Sequence, residues 1–136
     1  GGGQGGTHRP ASDSFVFVND DLKMVLLVRN DLGMSQGKIA AQCGHAVLGA
    51  YRRAVQDNSS LLTQWEIAGE AIIVLGVGGE DEMRSLSAKA GEAGIVTHIV
   101  SDAGRTEVAP GSATVAALGP APVSKMDSVT GHLSLL

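Results

Sequence analysis

Two stretches of the chain hold residue types that could recognise a polyanion and activate a water molecule. Gly37-Lys38-Ile39-Ala40-Ala41-Gln42-Cys43-Gly44-His45-Ala46 sets an amine, a carboxamide and an imidazole among small residues. Asp102-Ala103-Gly104-Arg105-Thr106, then Ala109-Pro110-Gly111-Ser112 and Thr114, holds an acid, a guanidinium and hydroxyls. In the first stretch Lys38, Gln42, His45 and Gly49 recur at i, i+4, i+7 and i+11, one side of a helix. Lys38 would sit in the first turn, where unpaired N–H groups and the helix dipole attract anions. Gly37 beside it lets a ligand approach the backbone closely. A solvated polar edge is the plainer explanation of the same pattern.

Asp102 stands at the carboxyl end of an apolar run, the edge where open α/β sheets bind ligands. Arg105 is a fixed fork for carboxylate or phosphate. From the loop alone, Asp102 reads equally as a water-orienting base or as a turn cap bridged to Arg105. Thr106 and Thr114 add hydroxyls.

These groups need elements to position them. Residues 24–28 form an unbroken apolar run, which suits a central strand buried on both faces. A long helix is predicted from 35 or 36 to about 56. Its apolar stripe is Ile39, Cys43, Val47, Ala50 and Ala54, and Ala40, Ala41, Gly44 and Leu48 read as a packing face against the sheet or another subunit. A short helix covers 61–66. Strands are predicted over 71–77, 95–100 and 113–118. Glu80, Asp81 and Glu82 open a third helix, where acids complement the dipole. A fourth helix runs through Val123, Met126 and Val129, and 132–136 form a short extension. The fold class is α/β with a mostly parallel four-stranded sheet and helices on both faces. The link between the last two strands contains no helix, so the fourth strand is predicted to be antiparallel.

The 136 residues suffice for one domain with one core. Residues 1–21 read as a disordered Gly-rich leader and 22–136 as the domain. Aromatics are 3% of the chain, so aliphatic residues must fill the core. One cysteine allows no internal disulfide and fits a reducing compartment. No apolar run is long enough to cross a bilayer. The formal net charge is −4, yet residues 22–56 hold Lys23, Arg29, Lys38, Arg52 and Arg53 against Asp31 alone. Acids concentrate in 57–92. A local phosphate-binding face is therefore compatible with an acidic protein.

Other signals fail. Cys43 and His45 lie on different sides of the helix, which argues against a nucleophilic pair, and Cys43 reads as a small core residue. Gly76-Val77-Gly78-Gly79 lacks the third glycine of a dinucleotide loop. His8, His98 and His132 are isolated, without metal-ligand spacing.

The two motifs, together with Lys23-Met24-Val25-Leu26-Leu27-Val28-Arg29-Asn30-Asp31-Leu32, Leu62-Thr63-Gln64-Trp65-Glu66 and Val129-Thr130-Gly131-His132-Leu133, resemble the archaeal and eukaryotic (type II) peptidyl-tRNA hydrolases. The resemblance spans about 23–136 with its motifs in order. It implies a three-layer α/β/α fold on a mixed four-stranded sheet. It implies hydrolysis of the ester joining a peptidyl group to the tRNA 3′ ribose, no metal or other cofactor, and commonly a dimer. The family's active residues fall on Lys38, Asp102, Thr106 and Thr114, with His45 and Arg105 as secondary candidates. Ser35 and Gln36 stand where the family often has a Gly and a Lys, which removes one expected cation.

In this reading Asp102 orients the water or acts as base. Thr106 and Thr114 position that water or donate to the oxyanion, and Lys38 supplies positive charge. Gln42 and His45 extend the substrate site. Lys23, Arg29, Arg52, Arg53 and Arg105 form a phosphate footprint. With Tyr51 and Trp65 the only aromatics of the domain, backbone recognition is expected over sequence readout. A non-catalytic RNA-binding module is the rival. The expected location is the cytoplasm, with mitochondrial association dependent on residues upstream of Gly1.

Overall fold

The computed structural model describes residues 16–103, 109 and 111–136. In chain order these form β1 (Leu22–Arg29), α1 (Gln36–Asp57), α2 (Ser59–Ile67), β2 (Ile72–Val77), α3 (Glu80–Glu92), β3 (Thr97–Ser101), β4 (Ala113–Pro122) and α4 (Val123–Thr130). The four strands make one open mixed sheet in the order β2-β1-β4-β3.

β1 is central, as its apolar run predicts. Its alternating side chains feed two separate cores. Val25 and Leu27 pack with Met83, Leu86 and Ala90 of α3 and Met126 and Val129 of α4. Met24, Leu26 and Val28 pack with Ala46, Ala50 and Ala54 of α1 and Leu62 and Trp65 of α2.

The expectation of a mostly parallel sheet is overturned. β1 and β2 pair parallel, but β1–β4 and β3–β4 are antiparallel. The antiparallel β4 was expected; its place was not. β1, β2 and β3 run the same way, and the one reversed strand inserts between β1 and β3. A single reversal in the middle of a sheet makes both of its pairings antiparallel.

β4 also runs past the predicted 118 to Pro122. Pro120 cannot donate to a ladder, and it falls where the β1–β4 register shifts between Lys23 and Val25. Gly119 makes that irregularity: its φ is +103°, and an added Cβ would sit 3.0 Å from Lys23 O, Ala121 N and Met126 Cε. Its N–H donates to Val96 O at 2.8 Å.

Ser35 caps α1, its Oγ accepting from Lys38 N at 3.2 Å. Asn58 both closes α1, donating to Ala54 O at 2.9 Å, and caps α2 by accepting from Leu61 N at 3.3 Å. The buried line of α1 is Gln42, Ala46, Gly49, Ala50 and Ala54. Ile39, Cys43 and Val47, expected in the stripe, are half-buried at its flank. Ala40, Ala41, Gly44 and Leu48, expected to pack, are exposed in this single chain. Apart from Gln42 the inward line is Ala and Gly, and these small side chains let the helix lie close on the sheet. Residues 134–136 lie along β2, with Ser134 O accepting from Gly76 N at 3.1 Å and Leu136 N donating to Val74 O at 3.1 Å. That contact satisfies backbone groups on a sheet edge.

Candidate active site

Three segments meet at one end of the sheet: the first turns of α1, the carboxyl end of β3 and the start of β4. Lys38 reaches from α1 to form an ion pair with Asp102 just beyond β3. Their side chains are only 9% and 3% exposed. A charge pair with so little water survives because each partner compensates the other's lost hydration.

Asp102 is placed by its backbone. Its N–H donates to Ser112 O at 2.8 Å and its carbonyl accepts from Gly111 N at 2.9 Å. These bonds bring the two ends of the 103–110 segment together and hold the carboxylate in front of α1.

One turn further along α1, Gln42 is buried. Its Nε2 donates to Thr114 Oγ1 at 2.8 Å. That hydroxyl in turn donates to Val100 O at 3.3 Å. The bonds tie α1 to both β4 and β3 directly behind the ion pair. Thr114 has no exposed surface, and its hydroxyl is engaged by Gln42 and Val100. Its hydroxyl positions Gln42 and the strands.

Thr106 and Arg105 lie outside the described residues. His45 is exposed on α1 and lines a groove with Arg52, Arg53 and His98. Arg29 sits at the same end of the sheet, but its guanidinium is occupied. It binds Asp31 through Nε at 3.0 Å and Nη2 at 2.7 Å. Its Nη1 donates to Glu80 Oε1 at 3.3 Å and to Ala113 O at 3.1 Å. The bond to Asp31 pushes the arginine further toward its charged form and holds the Asp31 carboxyl below its usual range. Glu80 is shared with Arg84 Nε at 2.7 Å, and the Arg29 donors are already committed to Asp31, Glu80 and the Ala113 carbonyl, which leaves little of that guanidinium for a phosphate. Lys23 lies at the other end of β1 and pairs with Asp127 at 2.8 Å. The structure thus brings Lys38, Gln42, Asp102 and Thr114 together, gathers His45, Arg52 and Arg53 in a neighbouring groove, and leaves Lys23 apart.

Trp65 is 2% exposed and donates to Ala71 O at 3.0 Å, so it serves the core and not a base. Burial pushes the Cys43 thiol up, which suppresses the thiolate a nucleophile needs. Among the described residues no group of three or more His, Cys, Asp or Glu is placed to hold a metal ion. Sequence reasoning missed the carbonyls of Val100 and Ala113, which carry no residue-type signal, and dismissed His98 because its neighbours are distant in the chain.

Residues 22–136 match the family described as peptidyl-tRNA hydrolase PTH2. A Drosophila melanogaster protein named probable peptidyl-tRNA hydrolase 2 is 50% identical over 119 residues, 88% of this chain and 64% of the fly protein. The human protein named peptidyl-tRNA hydrolase 2, mitochondrial, is 42% identical over 95% of this chain and 73% of its own length. A Methanocaldococcus jannaschii protein named peptidyl-tRNA hydrolase is 41% identical over 85% of this chain and 100% of its own length. The chain thus spans about two thirds of the fly protein, and its match with the archaeal one takes in that protein whole. A solved Agrobacterium protein of unknown function shares the fold, with a TM-score of 0.60 at 14% identity over 85% of this chain and 98% of its own.

Proposed function

The chain belongs to the PTH2 family of peptidyl-tRNA hydrolases, and on that premise we propose that it hydrolyses the ester between a peptidyl group and the 3′ ribose of tRNA. The observation that carries the proposal is the Lys38–Asp102 pair, shielded from water and set at the sheet end where ligands enter open α/β folds. The match over the full length of the archaeal relative supports an activity contained within these residues.

Ester hydrolysis needs an oriented water, a positive field for the developing oxyanion and a proton for the departing ribose oxygen. In our reading Asp102 orients the attacking water and takes its proton. The Lys38 ammonium has three donors, so it can hold Asp102 and still face the oxyanion. Water oxygen bonds to the carbonyl carbon, the carbon–ribose oxygen bond breaks, and the proton passes to that oxygen. Gln42 and Thr114 keep α1 at the distance this pair requires. Thr106 is assigned to the water or the oxyanion and Arg105 to the RNA backbone, as the family resemblance implies. Arg52, Arg53 and His45 form the phosphate footprint; Lys23 and Arg29, each already paired with acids, drop out of it.

The same reading takes the two separate cores as the two interfaces of a three-layer α/β/α arrangement. It carries a homodimer, which sedimentation of the purified chain tests. It places the protein in the cytoplasm, with mitochondrial association as the alternative that the human relative's name supports; fractionation of cells expressing the full-length protein separates the two.

The deciding experiment incubates the protein with peptidyl-tRNA, with and without chelator, and follows release of free tRNA. Binding without cleavage would leave the RNA-binding rival in its place.

A further inference from the structure

Beside the ion pair runs a groove of about 490 Å³ between α1 and the edge strand β3. α1 contributes His45, Gly49, Arg52 and Arg53, and β3 contributes His98 and Ser101. Among the described residues no carboxylate lines it. From β4, the residue paired with His98 is Ala117, which adds no charge.

The His98 ring is seated by a missing side chain. A Cβ on Gly49 would lie 2.0 Å from His98 Cδ2 and 2.2 Å from Nε2. The imidazole therefore lies flat on the backbone of α1, with Arg52 and Arg53 one turn further along. The groove begins at Ser101, next to Asp102, and His98 lies four residues back from Asp102, ~13 Å away along the strand direction. A substrate whose terminal ribose reaches Lys38 and Asp102 would carry its backbone along this groove.

We propose that His98, Arg52 and Arg53 form a phosphodiester subsite for the acceptor end of the RNA, and that filling it draws a proton onto His98. The proposal rests on the RNA-hydrolase reading for the identity of its ligand. Burial first, then the charges of Arg53 and Arg52, hold the His98 imidazolium disfavoured while the groove is empty. An anion between the three groups offsets both arginines and reverses that bias, since a nearby opposite charge favours the protonated ring. A phosphodiester does not itself titrate near neutrality, so proton uptake reports the histidine.

The test uses the full chain with deacylated tRNA at constant salt. Affinity is measured at pH 8 and pH 6 while the His98 imidazole is followed by NMR. We expect binding to tighten by about threefold or more toward pH 6, with the His98 titration moving to higher pH in the complex. His98→Gln should abolish that pH dependence. Gly49→Ala should abolish it too, by displacing the ring while keeping the histidine and both arginines. Unchanged pH dependence in His98→Gln, or its loss only in His45→Gln, would overturn the assignment, as would pH-independent binding by the parent protein. Peptidyl-tRNA cleavage without any His98 response sinks the subsite alone. A His98 response without cleavage sinks the hydrolase reading and keeps the subsite.

Discussion

Lys38 and Asp102 stand 64 residues apart in the chain and meet as an ion pair with little access to water. Neither element alone would put an ammonium against a carboxylate. The first turn of α1 aims the lysine, and the hydrogen bonds of Asp102 to Ser112 and Gly111 aim the acid. The pair is thus both a structural contact and the centre of the proposed chemistry, and the two roles separate by experiment.

Lys38→Ala and Asp102→Asn should each lose on the order of a hundredfold or more in peptidyl-tRNA turnover. Removing one partner of a buried pair should also cost about 3 kcal/mol in denaturant unfolding. Lys38→Met with Asp102→Leu should recover most of that stability and none of the activity. Turnover close to the parent's in either single variant would remove that residue from the mechanism.

Thr114→Val keeps the shape of the side chain and deletes its hydroxyl. Gln42 and the Val100 carbonyl then lose a buried partner, at a cost of about 1–3 kcal/mol. Turnover should fall less than in Lys38→Ala, and Thr114→Ser should restore both stability and activity. A Thr114→Val protein as inactive as Lys38→Ala, with unchanged stability, would instead give the hydroxyl a direct chemical role.

The salt dependence of tRNA binding should sort the arginines. Arg52→Ala and Arg53→Ala should each reduce the slope of log K against log salt by about 1. Arg29→Ala should leave the slope alone and lower stability, because Asp31 would lose its bidentate partner, the Ala113 carbonyl its donor, and Glu80 one of its two cations. An unchanged slope in both Arg52 and Arg53 variants would move the RNA elsewhere.

His98 also predicts how stability follows pH in the absence of RNA. Its folded-state pKa lies below 6.5, chiefly through burial and then through Arg53 and Arg52. Below about pH 6.5 the unfolded chain binds a proton that the folded chain resists. The contribution of this group to stability is therefore full above that pH and is lost as pH falls from there toward the folded value. Thermal melts from pH 8 to 5.5 should show a shallower decline for His98→Gln than for the parent; parallel declines would contradict the shift.

Ala46 is fully buried where α1 lies on the sheet, one turn beyond Gln42. Ala46→Leu should cost about 1–3 kcal/mol by overpacking. It should lower turnover as well, because lifting α1 moves Lys38 and Gln42 away from Asp102 and Thr114. Full turnover in a destabilised Ala46→Leu protein would argue that the site tolerates a displaced helix.

Much of this molecule is written locally. The apolar run of Met24 to Val28 forces β1 into the interior, because neither of its faces can meet water. Ser35 and Asn58 set helix ends through bonds that reach only three or four residues, and the acids at 80–82 open α3 by the same short-range logic. The absence of a helix signal in the sequence before Ala113 marks β4 as reversed. Residue type and position made Lys38 and Asp102 candidates, with a solvated edge the plainer reading of the first and a turn cap an equal reading of the second; the family resemblance chose between them. Tertiary structure decided the rest. Strand order put β4 beside β1 and so turned a mostly parallel expectation into two antiparallel pairings, and nothing in the local pattern of Ala113 to Pro122 encodes a neighbour. The Arg29 guanidinium, held locally by Asp31, was tied further to Glu80 and the Ala113 carbonyl from other elements, Gln42 was drawn inward by Thr114, and His98 found its seat on Gly49. Each of these depends on groups more than 45 residues apart being brought within a few ångströms, and only packing of the whole chain sets those distances.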